Sequence, residues 1–317
     1  MGGSRGPRAR AVRPATQRRR SFVLALAARG GLGLLSLAGG VGAAAQDASA
    51  GGSATNAPQL DADLVRTGLY LIRGGGGNSL LRLSANGMVL IDGKLPGNYR
   101  ALMSQVRRIS RLSDMAVRVL VLTDHHEKRA GTNAQFLEAR IPIVAQRNTL
   151  ASLSLPESPG AAGGLPVVSY EHERTLRLGG VEVQLKHFGN ACTSGDTVVY
   201  FPDLKIVALG DLFAPGAPEP DFSAGGSLVG WGAVLTRVLD LDFDQVVPGA
   251  GPVVGRSALV AFKGKLDAVV ARAAALVRSG VGRDDLVSRM RLDDRDWQFD
   301  FAGDDLDRLY VELSRLR

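Results

Sequence analysis

From Leu64 onward the chain is a succession of short apolar runs punctuated by turn residues, the pattern of many short strands with helices between them. Leu69–Arg73 alternates towards the run Gly74-Gly75-Gly76-Gly77, and Ser79–Ser84 and Met88–Asp92 flank Ala85-Asn86-Gly87, a hairpin signal. Asn98–Ile109 sets Leu102, Val106 and Ile109 on one stripe and predicts a helix. Val117–Thr123 is almost continuously apolar and branched, as in a strand buried on both faces. It runs into Asp124-His125-His126-Glu127-Lys128-Arg129, and Thr132-Asn133 then offers cap chemistry for a short helix over Ala134–Ala139. A strand at Ile141–Ala145 and a helix from Asn148 complete a first cycle, a hairpin followed by α-β-α-β-α. Pro156–Pro166 breaks the pattern.

A second cycle follows. Val167–Ser169, Thr175–Leu178, Val181–His187, Thr197–Phe201 and Ile206–Leu209 read as strands, with Gly179-Gly180 as a turn. Ser227–Leu239 is an amphipathic helix, Gln245–Val247 a short strand and Arg256–Val277 a long helix. The remainder, Arg283–Leu292 and Asp304–Leu316, is polar, and is expected as helices across the outside. The glycine run has neither a following helix nor the lysine of a phosphate-binding loop, so it reads as a tight loop.

Composition adds one correction to the obvious picture. The chain has 317 residues, 45% of them hydrophobic, and a formal net charge of +7. Eight arginines and no acid fall in residues 1–45; without them 30 of the 38 basic residues remain against 31 acids, a net of −1. The basic pI is therefore no argument for nucleic acid. The arginines have another reading. Arg19-Arg20-Ser21-Phe22-Val23 looks like a twin-arginine export motif, an Ala/Gly-rich apolar run follows it, and Ala43-Ala44-Ala45 supplies small residues for cleavage before Gln46. Arg29 and the glycines argue against a stable membrane span. The expectation is a periplasmic or secreted protein with a signal over 1–45, a disordered linker over 46–60, a main domain over 61–282 and a helical extension over 283–317. With Cys192 as the one cysteine, no intramolecular disulfide can form.

Around the charged loop, Thr123, His126, Gly131 and Asn133 fit the pattern T-H-x-H-x-D-H-x-G-G-N. Gly189-Asn190-Ala191-Cys192-Thr193-Ser194-Gly195-Asp196 before Val198-Val199-Tyr200-Phe201-Pro202 fits G-x-A-H-T-x-G-D, except that Cys192 stands at the histidine. Gly210-Asp211-Leu212-Phe213 fits G-D-x-F, and Val246-Val247-Pro248-Gly249-Ala250-Gly251-Pro252 fits V-x-P-G-H-G-P except that Ala250 replaces the histidine. Through these four patterns, over about Leu69 to Arg256, the chain resembles the metallo-β-lactamase superfamily. The resemblance implies an α+β fold, a four-layer αβ/βα sandwich with a metal site along one edge of two sheets. Members of that family cleave β-lactams, thioesters, lactones and phosphodiesters, so the resemblance does not name a substrate.

The resemblance also implies how the metals would be held. One metal falls to the positions of Asp124, His126 and Cys192, the other to those of Lys128, Arg129 and Ala250, with Asp211 as the bridge. Five of the seven ligand positions differ from the family's residues. Two cations and a methyl group cannot hold a divalent ion, so the second site is lost. The first leaves two readings open. In one, Asp124, His126, Cys192 and Asp211 hold a single zinc or ferrous ion, with Lys128 as an electrophilic helper and Asp211 beside it, in a slow hydrolase. In the other, Lys128 and Arg129 pair with Asp124 and Asp211, plug the metal cleft, and leave a non-catalytic protein that binds an unknown small molecule. Cys192 is then a small buried thiol.

The remaining candidates have plainer roles. His125 points away from His126 if the loop is extended, and is expected exposed. His172 reads as a surface residue at a strand edge. His187, just before the Cys192 loop, either supports the site or fills structure. Asp92 matches the acid that closes its strand in the family and supports the site loops. Asp196-Thr197 reads as loop structure, and no G-x-S-x-G elbow occurs.

Overall fold

The computed structural model describes residues 60–110, 115–156, 165, 168–291 and 297–316. The expected signal over 1–45 lies outside the described residues, as do the linker apart from Leu60 and most of the break near residue 160. Thirteen strands among the described residues form two sheets. In the first, β1 (Asp61–Arg66), β2 (Leu69–Arg73), β3 (Ser79–Ser84) and β4 (Gly87–Ile91) are an antiparallel meander. They continue in parallel into β5 (Val117–Val121), β6 (Ile143–Gln146) and β7 (Val168–Tyr170).

The parallel half needs crossovers. They are the helices α1 (Tyr99–Ile109), α2 (Glu127–Ala130), α3 (Asn133–Glu138) and α4 (Arg147–Leu153). The second sheet has the order β13-β12-β11-β10-β9-β8. Its members are β8 (Glu173–Leu178), β9 (Val181–Lys186), β10 (Val198–Phe201), β11 (Ile206–Ala208), β12 (Gln245–Val247) and β13 (Val254–Gly255). All its pairings are antiparallel except β11 with β12.

The two-sided burial expected of Val117–Thr123, where Leu120 and Val121 enter opposite cores, is shared by other strands and explains the stacking. Along β4, Met88 and Leu90 face a core shared with Leu102 and Val106 of α1, whereas Val89 and Ile91 face the second sheet. In β10, Val199 and Phe201 meet them across the interface. Val198 and Tyr200 turn to the opposite side, where α5 (Leu228–Leu239) and α6 (Arg256–Arg278) cover the sheet. The layers are helix, sheet, sheet, helix, the expected sandwich. Burying each Leu, Ile or Phe on these strands contributes roughly 1.5–3 kcal/mol.

Four elements differ from the sequence reading. β1 is too polar to announce itself, and it forms a charged, exposed edge of the kind that resists pairing with other chains. The four-residue α2 was not expected and decides where Lys128 and Arg129 point. The C-terminal helices α7 (Arg283–Met290) and α8 (Gly303–Ser314) lie outside α6, yet Leu286, Met290, Leu306, Leu309 and Leu313 are buried in the same core as α5 and α6. No helix among the described residues is long and apolar enough to cross a membrane.

Loops from both sheets meet at one edge. Thr197 donates its amide to the Thr123 carbonyl (2.7 Å), and Asn78 donates its amide to the Gly249 carbonyl (2.9 Å). The side chain of Asn78 also donates to the carbonyls of Pro248 and Gly251. With the Gly249 amide donating to the Phe213 carbonyl (2.8 Å), these ties bring the four sequence patterns to one edge.

Candidate active-site cleft

The site is built outward from Asp92. This residue closes β4 in a left-handed conformation, and its carboxylate accepts from both the amide and the hydroxyl of Thr123, each at 2.7 Å. The end of β5 is thereby fixed. Asp124, 1% exposed, accepts from the amide of His126 (2.9 Å), and this turn makes His126 the residue that opens α2. The chain is therefore not extended here. His125 is half-buried on the same side as His126, with ring centroids 4.7 Å apart. The expected outward-pointing His125 is corrected, and the turn held by Asp124 is the reason.

Helix α2 sends its two cations to different depths. Arg129 is fully buried. Its guanidinium lies 2.6 Å from Asp211, 3.4 Å from Asp124 and 3.6 Å from Asp92, and donates to the carbonyls of Gly249 (3.0 Å) and Asn78 (3.3 Å). Gly77 and Gly249 clear the space for it, since a Cβ at either position would collide with the guanidinium. The glycine run thus serves as packing room for an arginine. Lys128 remains partly exposed and reaches Asp211 at 2.9 Å.

Asp211 is the hub. It sits in a 3-10 turn after β11, and its carboxylate receives Arg129 on one oxygen and both Lys128 and His126 Nδ1 (2.9 Å) on the other. His126 Nδ1 is also 3.2 Å from Asp124, while His126 Nε2 faces Asp221 at 3.6 Å. Burial opposes charge at His126 and at Asp211, and their neighbours overturn it. Hydrogen bonds to Asp124, Asp211 and Asp221 push the His126 imidazole up to about 12 despite burial. Burial likewise works against ionised Asp211, but Arg129, His126 and Lys128 hold it well below the usual carboxylate range. Asp92, with burial prevailing over Arg129, rises to about 7.

Cys192 lies on the loop before β10, which Asp196 braces by accepting from the amide and hydroxyl of Thr193. The thiol is buried and 3.5 Å from the Glu219 carbonyl; burial, with Asp196 and Asp211 nearby, raises its pKa well above the ordinary value. Ala250 lines the same cleft as Cys192. His187 Nδ1 contacts the Asp196 carbonyl at 2.9 Å and so braces the same loop, and His172 is exposed.

A cleft of about 750 Å³ opens over His126, Lys128, Cys192 and Asp211, walled by the proline-rich segment from Ala214 to Asp221. Asp221 was not singled out in the sequence. It belongs to no pattern quoted above, and a lone acid ending a proline-rich loop carries no spacing signal.

Of the four residues expected to share one metal, His126, Cys192 and Asp211 have ligand atoms within 4.8 Å of one another; Asp124 does not join that group. The donors do not suit a cation at this point. Both oxygens of Asp211 are engaged by cations, Arg129 fills the depth behind it, and His126 Nδ1 faces two carboxylates. A divalent ion here would lie beside Lys128 and Arg129, whose charges repel it.

No family model matches the chain. A 2,4-dinitroanisole O-demethylase subunit alpha from Nocardioides sp. (strain JS1661) is 27% identical over 235 residues, 72% of this chain and 68% of that protein. Among solved structures, a metallo-β-lactamase from Pontibacter korlensis superposes with a TM-score of 0.58 at 21% identity, covering 66% of this chain and 99% of that one. The DIM-1 metallo-β-lactamase gives a TM-score of 0.56 at 19% identity, over 66% and 98%. The inverting sec-alkylsulfatase Pisa1 from Pseudomonas sp. gives 0.62 at 15% identity, over 81% of this chain and half of that one. At these identities the likeness is one of fold.

Proposed function

We propose that this chain, which has the metallo-β-lactamase fold, binds an oxygen-bearing small molecule in the cleft above Asp211 and is a non-catalytic member of a hydrolase-like family. The observation that carries the reading is the pairing of Arg129 and Lys128 with Asp211, at the position to which the sequence resemblance assigns the bridge between two metals. Arg129 is locked in place. Lys128 is a compact charge on a flexible, partly exposed stem, able to leave Asp211 for a ligand's carboxylate, sulfonate, nitro or carbonyl oxygen. Phe262 and the prolines of the wall offer apolar surface for the rest of such a molecule.

A second reading is a hydrolase of an ester, amide or thioester bond with one zinc or iron ion on Asp124, His126, Cys192 and Asp211. The similarity to an O-demethylase subunit and the proximity of His126, Cys192 and Asp211 favour it. The cations around Asp211 weigh against it. A panel of aryl ethers, aryl esters, thioesters and aromatic carboxylates, read by both melting temperature and product release, separates the two. Binding raises the melting temperature of a folded protein by mass action. The expected result is stabilisation by an anionic aromatic, without turnover, and at least tenfold weaker binding by Lys128→Ala. Turnover that requires added metal and the Cys192 thiol would overturn the proposal.

Export by the twin-arginine route is part of the same reading, supported by Arg19-Arg20-Ser21-Phe22-Val23. Replacing Arg19 and Arg20 by lysine is expected to hold the full chain in the cytoplasmic fraction. An unchanged distribution would count against export by this route.

A further inference from the structure

We propose that His125 Nε2, His126 Nε2 and Asp221 Oδ2 form a binding site for a divalent first-row transition-metal cation at the mouth of the cleft, displaced from the positions the fold family uses. The inference goes beyond the proposed binding function and holds whether or not the cleft is catalytic. The geometry is that of a ligand set. Both histidine nitrogens face the same carboxylate oxygen, His125 Nε2 at 3.5 Å and His126 Nε2 at 3.6 Å, and the three ligand atoms lie within 4.8 Å of one another. Tetrahedral bonds of zinc to nitrogen and oxygen set neighbouring ligand atoms about 3.4 Å apart. Two imidazoles and a carboxylate, with the remaining positions open to water, make a donor set that zinc and ferrous iron both accept, the ion displacing the proton on His126 Nε2 as it binds.

The supports behind the three ligands are in place. His126 presents its other nitrogen, Nδ1, to Asp211 at 2.9 Å and Asp124 at 3.2 Å, the carboxylate backing that orients a ligating imidazole. Lys128 and Arg129 attach to Asp211 on that Nδ1 edge of the ring, so the paired cations are grouped behind His126. The carboxylate of Asp221 is fixed through its second oxygen, which accepts from Ser223 Oγ (2.6 Å) and the Ala224 amide (3.1 Å). The Asp221 backbone is tied to the Cys192 carbonyl (2.7 Å) and to the Gly226 amide (2.7 Å). His125 has no comparable structural duty. Its Nδ1 is buried without a hydrogen-bond partner among the described residues, and its one ion-pair contact there is Asp221.

The same histidine therefore separates two ion positions: an inner one beside Asp211 and Cys192, which protein cations exclude, and an outer one beside His125 and Asp221. Zinc calorimetry on the full chain distinguishes them, with wild type beside Asp221→Asn, His125→Gln and Cys192→Ala. Asp221→Asn retains acceptors for Ser223 and Ala224, and the melting temperature of each variant in chelator reports whether it folds. The expected result is one zinc per wild-type chain, at least tenfold weaker binding in Asp221→Asn and His125→Gln, and no change in Cys192→Ala. No zinc binding by the wild type overturns the outer site and leaves the proposed binding function standing. Binding lost in Cys192→Ala and kept in Asp221→Asn overturns both, because the ion would then occupy the inner position.

Discussion

Removing the guanidinium of Arg129 is the perturbation with the largest expected consequence. Arg129→Ala leaves Asp211, Asp124 and Asp92 facing one another in a buried pocket, and withdraws donors from the Gly249 and Asn78 carbonyls. Breaking a buried ion pair from one side costs about 3–5 kcal/mol. For a domain of this size that amounts to roughly 6–20 °C in melting temperature. The loss also depends on pH, with a definite sign. Without Arg129 the pKa values of Asp92 and Asp124 rise in the folded state. A carboxylate raised in this way costs stability that grows as pH climbs from its unfolded to its folded value. The deficit should therefore be larger at pH 8 than at pH 5. Urea denaturation followed by circular dichroism at both pH values measures it, with an unchanged m-value as the check that the two end states are the same. Arg129→Lys keeps the charge and loses the planar fork, so it should recover only part of the loss. If Arg129→Ala lies within about 1 kcal/mol of wild type at pH 8, the buried network is not what holds these loops.

Three further outcomes follow from the same geometry. Lys128→Ala should change stability by less than about 1 kcal/mol, because its ammonium is solvent-screened and Asp211 keeps two other partners; parallel urea melts check this. The Cys192 thiol, buried and with its pKa raised, should react with a thiol reagent far more slowly in the native protein than in urea, and equal rates would refute its burial. Asp211 is held below its ordinary pKa, so the stability it contributes is present above about pH 4 and is lost as pH falls further. Asp211→Asn should therefore flatten the acid limb of a stability–pH curve between pH 5 and pH 2, and a limb of unchanged steepness would contradict this.

The fold was legible in the sequence because its signals are local. The run Val117–Val121 declares two-sided burial, and the turn at Ala85-Asn86 fixes the β3–β4 register. The pairing of Lys128 and Arg129 with Asp211 was also foreseen as one of two alternatives, since cations at ligand positions have few other buried partners. What escaped notice depends on three-dimensional placement. The reach of Asp124 to the His126 amide turns the loop and brings His125 inward, which no alternation rule reveals. Gly77 and Gly249 read as loop glycines until the guanidinium between them gives each a reason. Asp221 lies 95 residues beyond His126, in a segment outside every quoted pattern, and only the tertiary fold joins the two.

The central claim is that protein cations have taken the inner metal position, and the absorption spectrum of the full chain titrated with cobalt(II) tests it most directly. A cobalt ion bonded to a thiolate shows an intense sulfur-to-metal band, whereas one held by imidazole and carboxylate does not. The account predicts a spectrum without that band, unchanged in Cys192→Ala. A strong band that disappears in Cys192→Ala would contradict it, because the ion would then sit beside Asp211, where Lys128 and Arg129 are expected to keep it out.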